Sequence, residues 1–134
     1  MDYRTLGYIT LALLIIVTAP YWLRTLNSWT VKTKDKRFLN FLKLLRRVHK
    51  PLGIVLAAVA LWHGYEILLK YQFRLHTGVI AYAGFAVTAI LGIIHWQRKN
   101  KQVFKVHKAM AAISVALVIL HLLWPGAIMQ LFGI

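Results

Sequence analysis

Within 134 residues lie four apolar stretches, 6–23, 49–69, 76–96 and 103–124. Each is long enough to cross a hydrocarbon core of about 30 Å as a helix. Together they consume most of the chain, and what remains is too short for a flavin-, nucleotide- or ATP-binding domain. No Walker or G-x-G-x-x-G pattern occurs either. The expected fold is therefore an all-α polytopic membrane protein, a four-helix transmembrane bundle forming one domain over residues 1–134. Pro20 predicts a kink near the end of the first span, and Pro125-Gly126 stops the fourth. The apolar tail from 125 to 134 is too short to cross and is expected along the interface.

Composition removes the competing classes. Seventeen Lys and Arg against three Asp and Glu give a formal charge of +14 and a pI near 10.6, which by themselves would suggest nucleic acid. A chain that is 60% hydrophobic, with mean hydropathy +0.63, is too apolar for a soluble basic domain of this size. No nucleic-acid partner is expected; membrane lipid is. The absence of cysteine excludes disulfides, thiolate-ligated clusters and covalent C-x-x-C-H haem attachment.

The charge also sets a direction. Arg24, Lys32, Lys34, Lys36, Arg37, Lys43, Arg46, Arg47 and Lys50 precede or open the second span, and Arg98, Lys99, Lys101, Lys105 and Lys108 separate the third from the fourth. Only Arg4, Lys70 and Arg74 fall on the other side. The positive-inside rule then places both termini outside and both basic loops in the cytoplasm, in a membrane read as the prokaryotic cytoplasmic one. The first span has one basic residue ahead of it and no A-x-A site, so it reads as a retained helix rather than a signal peptide. Phe38, Phe41, Leu42, Leu45 and Val48 recur at helical spacing. They predict either an amphipathic helix on the inner leaflet or a cytoplasmic extension of the second span. Attraction to anionic lipid is the general explanation of such a basic segment, and a docking surface is the alternative.

Six histidines are the strong metal-ligand candidates. His49 and His63 are fourteen positions apart on the second span, and His107 and His121 are fourteen apart on the fourth. Fourteen steps come within about 40° of whole turns and rise about 21 Å, so each pair shares a helix face with one member near each membrane side. The two spans run in the same direction, which levels His49 with His107 and His63 with His121. Two facing imidazoles at one depth can supply both axial ligands of a haem iron, and two such pairs stack two haems. Small residues adjoin the ligands: Gly53 and Ala60 on the second span, Ala111 and Ser114 on the fourth. They would admit a flat porphyrin, although ordinary helix contacts also select small residues. Zinc fits poorly, because each level offers two imidazoles and no thiolate or carboxylate to complete a site. Glu66, the one acid within a span, could serve as a proton group or as an acceptor behind His63.

The segments RRVHKPLG (46–53) through WHG (62–64), and FKVHKAMA (104–111) through ILHLL (119–123), resemble the transmembrane core of ferric reductases and NADPH oxidases. The quinol-oxidising cytochrome b has a similar histidine spacing. The resemblance covers roughly residues 46 to 124. It implies a diheme b-type membrane cytochrome with His49, His107, His63 and His121 as axial ligands of two b-type haems. Those reductases usually have six spans and a flavin- and nucleotide-binding domain, whereas this chain has four spans and no such domain. Electron conduction is what carries over, and substrate is not.

His76 and His95, nineteen apart on the third span, do not share a face. Each reads as an interfacial histidine at a helix end. Otherwise His95 with Arg98 would contact a quinone or a haem propionate, and His76 a propionate or the iron opposite His63. Met110 and Met129 offer thioethers, of which Met110, three residues after His107, reads as packing. The expected function is transmembrane electron transfer by the membrane subunit of a redox complex, served by a soluble or peripheral partner. The alternatives are a self-contained oxidoreductase acting on quinol, superoxide or ferric iron, and a haem-free anchor or scaffold subunit.

Overall fold

The computed structural model describes residues 2–71 and 76–132. Arg74, assigned above to the outer side, lies outside the described residues. The described residues form five helices and no strands: α1 (Tyr3–Trp29), α2 (Lys36–Tyr71), α3 (Thr77–Arg98), α4 (Lys101–Leu123) and the short α5 (Ala127–Phe132). The first four are long and apolar enough to cross a membrane. The molecule is an all-α integral membrane protein with four candidate spans.

Helix continues into much of the basic sequence that separates the apolar stretches. The interval from Arg98 to Lys108 closes to a two-residue turn. Lys99 adopts the left-handed conformation at φ 49° and its N–H bonds the His95 carbonyl at 2.7 Å. Asn100 then caps α4, its side-chain oxygen accepting from the N–H groups of Gln102 at 2.7 Å and Val103 at 3.3 Å. Lys101, Lys105 and Lys108 therefore lie on the first turns of α4, where lysine's unbranched stem suits a helix. Likewise α2 is continuous from Lys36 through Pro51, which selects the helical extension of the second span over a separate amphipathic helix.

The chain divides into two compact units, Met1–Ala60 and Leu61–Ile134. In the first, α1 and the start of α2 form an antiparallel hairpin. Asn27 clamps its turn, donating from Nδ2 to the Thr33 carbonyl at 3.2 Å and accepting the Thr33 N–H at Oδ1 at 2.9 Å. Leu6, Val17, Ala19, Pro20, Leu42 and Leu56 are its buried apolar side chains.

In the second unit α3 and α4 pack antiparallel at close range, because glycine lets the backbones approach. A β-carbon at Gly78 would come within 2.9 Å of His121, one at Gly84 within 3.1 Å of Leu117, and one at Gly92 within 3.1 Å of His107. Buried polar groups, Thr77, Thr88 and Ser114, lie between these helices beside Leu117 and Ala81, while Ile90, Ile113 and Leu122 are exposed. Lipid makes that arrangement favourable. Apolar side chains gain little by leaving hydrocarbon, whereas hydroxyls need partners inside the protein. Thr88 Oγ1 lies 2.9 Å from the Gly84 carbonyl, Ser114 Oγ lies 2.8 Å from the Met110 carbonyl, and the two hydroxyls meet at 3.0 Å.

Candidate functional site

Each histidine ring is placed by groups that the periodicity did not reveal. His121 lies against Gly78, and its Nδ1 meets Thr77 Oγ1 at 3.1 Å. The Thr77 hydroxyl has one proton and gives it to the Pro125 carbonyl at 2.9 Å, so His121 Nδ1–H is the donor in that pair. His107 lies against Gly92 and donates from Nδ1 to the Thr88 carbonyl at 2.9 Å. In the other unit His49 donates from Nδ1 to the Val17 carbonyl at 2.8 Å, with Tyr21 edge-on to its ring at 6.2 Å.

These partners follow from local sequence. Val17 lies in the turn before Pro20, whose missing N–H leaves the Ile16 carbonyl without its i+4 donor and whose ring crowds that turn. A proline loosens the helix ladder there and leaves carbonyls to other donors. Thr77 opens α3 beneath the end of α4, where its N–H also bonds the Pro125 carbonyl at 3.3 Å. Gly78 and Gly92 are fourteen apart, the same interval as His107 and His121, and run antiparallel to them. That mirrored spacing is visible in the sequence, but which histidine each glycine meets is not.

A carbonyl or an already-committed hydroxyl can only accept, so His49, His107 and His121 each carry the neutral-ring proton on Nδ1. The lone pair is then on Nε2. Ligating imidazoles are held this way: the bond at one nitrogen fixes both tautomer and ring plane and raises the basicity of the other.

The remaining candidates fall into place around these rings. His63 lies within electrostatic range of His121, as does His76. His76 stacks on His121, centroids 6.1 Å apart and planes at 27°, and its buried Nδ1 has no hydrogen-bond partner. His95 bonds the Asn100 carbonyl through Nδ1 at 2.9 Å and stacks on Phe104 at 4.7 Å, which in turn stacks on His107 at 6.5 Å. Arg98 is exposed in the last turn of α3, and Lys108 lies over the Phe104 ring at 5.1 Å. Glu66 accepts from the Trp62 indole N–H at 3.0 Å.

The small residues separate into two kinds. Ser114 is buried against Thr88 of α3. Ala60 and Ala111 are partly exposed. A β-carbon added at Gly53, four residues after His49, or at Gly64, next to His63, would meet nothing within 4 Å. Close protein packing therefore does not account for glycine at either position. Among the described residues no group of three or more His, Cys, Asp or Glu side chains converges as a metal site.

No family model, curated protein or solved structure matches this chain. The class is thus given by the molecule itself: a four-span helical membrane protein with histidines anchored through Nδ1.

Proposed function

We propose that this chain is a diheme b-type membrane cytochrome, the transmembrane electron-transfer subunit of a redox complex. His49 with His107 would hold one haem and His63 with His121 the other. The observation that carries the reading is the anchoring of His49, His107 and His121, each through Nδ1–H to an acceptor on another helix. Helical spacing alone does not fix these partners; an imidazole N–H inside lipid needs an acceptor in any case, and what supports ligation is that the same ring nitrogen is engaged in all three.

Two further observations fit the same group. Gly53 stands one turn from the proposed ligand His49 on the same helix face and beside open space, which suits the flat face of a porphyrin. The buried, unpartnered Nδ1 of His76 offers a donor beside His121, suited to a propionate carboxylate. When bound, b-type haem supplies reversible one-electron chemistry at its iron. The chain's own residues orient and desolvate it. Val17, Thr88 and Thr77 hold the imidazoles, and the apolar helices exclude water.

By the charge distribution the His49 end faces the cytoplasm and both termini lie outside. A soluble or peripheral subunit supplies or removes electrons. Replacing His63 or His121 by Ala is expected to abolish one low-spin b-type signal and preserve the other in a reduced-minus-oxidised spectrum. A wild-type protein purified from haem-replete cells with no such spectrum would overturn the reading in favour of the haem-free anchor.

A further inference from the structure

The hairpin of the first unit is longer than a membrane requires. The His49–Val17 hydrogen bond levels α2 with α1, and the Asn27–Thr33 clamp closes the far end. From that level the arms continue thirteen residues along α2 to Lys36 and twelve along α1 to Trp29, about 18–20 Å of helix. The headgroup layer on one side of a bilayer is about 5–7 Å thick. Even if the hydrocarbon boundary stands at Arg46, about 15 Å of α2 lies beyond it. With α1 and α2 standing along the membrane normal, the hairpin tip lies past the lipid headgroups.

Its surface is one-sided in charge. Lys32, Lys34, Lys36 and Arg37 are exposed at the tip, Arg24, Lys43, Arg46, Arg47 and Lys50 are exposed below it, and Asp35 is the only acid among them. Trp29 and Val31 stand between these cations, 77% and 74% exposed. Of the apolar residues on this part of α2, Leu42 is buried inside the hairpin, while Leu39, Phe41 and Leu44 are exposed beside the cations. A basic rim around exposed aromatic and aliphatic anchors is the makeup of a protein-docking surface.

We propose that this projecting hairpin docks a water-soluble redox protein through an acidic face on that partner. The cations at the tip steer and orient it, and Trp29 supplies the desolvated contact. The proposal rests on the cytochrome reading for the partner's redox character, since the projecting arms rise from the level of the proposed ligand His49.

The test is binding of flavodoxin, used as an acidic soluble redox protein, to the full chain in phosphatidylcholine nanodiscs. Basic cytochrome c serves as the matched control, and haem content is measured on the same samples. Flavodoxin is expected to bind at 50 mM salt. Binding should weaken at least tenfold at 300 mM salt and at least tenfold in the Lys32→Glu, Lys34→Glu, Lys36→Glu, Arg37→Glu variant. The corresponding four-Gln variant, which keeps side-chain bulk, should show a smaller loss of the same sign, and Trp29→Ala should weaken binding without changing its salt slope. Flavodoxin binding no tighter than cytochrome c overturns the proposal. So does a Glu variant that retains flavodoxin affinity while losing co-purified phosphatidylglycerol, which would assign the tip to lipid. A haem-free sample that still binds flavodoxin would refute the cytochrome reading and leave the docking surface standing.

Discussion

Glycine has opposite surroundings in two regions of this molecule. On α3, Gly78, Gly84 and Gly92 are closed over by His121, Leu117 and His107, each within 3.1 Å of where a β-carbon would stand. On α2, Gly53 and Gly64 face open space. Glycine costs a helix about 0.5–1 kcal/mol relative to alanine. On α3 that cost is offset by close helix approach and by the imidazole supports it permits. On α2 no protein contact within 4 Å offsets it, and under the cytochrome proposal a bound flat ligand would. The same residue thus stands against a wall on one helix and beside open space on the other.

The sharpest way to break this comparison is to add bulk on both sides. Gly78→Leu or Gly92→Leu must displace a histidine ring and is expected to lower stability by about 3 kcal/mol, read as a large fall in the thermal midpoint of detergent-solubilised protein. Gly53→Leu should leave the haem-free protein's midpoint nearly unchanged while sharply reducing haem retention. Equal destabilisation of the haem-free protein at both positions would end the distinction.

Thr77→Val tests the supporting wall itself. It removes the hydroxyl that accepts from His121 and donates to the Pro125 carbonyl, at an expected cost of about 2 kcal/mol. The same variant should shift the spectrum of the haem assigned to His63 and His121 and spare the other. A smaller effect is expected between Thr88 and Ser114, whose hydroxyls meet at 3.0 Å with one of them donating, while each also has a backbone carbonyl of its own helix within reach. A double-mutant cycle with Thr88→Val and Ser114→Ala should give a coupling of about 0.5–1 kcal/mol. Smallest is Gly53→Ala, expected to raise the haem-free protein's stability by about 0.5 kcal/mol. The matching change at Gly92 should lower it.

Hydropathy made the four spans legible, because lipid demands long apolar runs and the chain supplies them. It placed their ends less well. Arg24 and Lys101 read as loop by charge, yet both are helical, since lysine and arginine extend helices readily once past the hydrocarbon. The fourteen-residue histidine spacing was visible as well. What it concealed was α3. Periodicity reports which face a residue occupies and not which neighbour covers that face, so the contacts of His107 and His121 with Gly92 and Gly78 required the folded chain. The partners of His49 and His107 were illegible for a plainer reason. They are the backbone carbonyls of Val17 and Thr88, which every residue possesses. Ser114, read as space for a porphyrin, meets Thr88 Oγ1 at 3.0 Å, a contact the spacing did not reveal.

The central claim is that the Nδ1-anchored histidines are haem ligands. It is tested most directly by the haem-to-protein ratio of the full chain purified from haem-replete membranes, measured as the pyridine haemochrome. The account predicts about two non-covalent b-type haems per chain, one for each level pair. A ratio near zero in folded protein would contradict it.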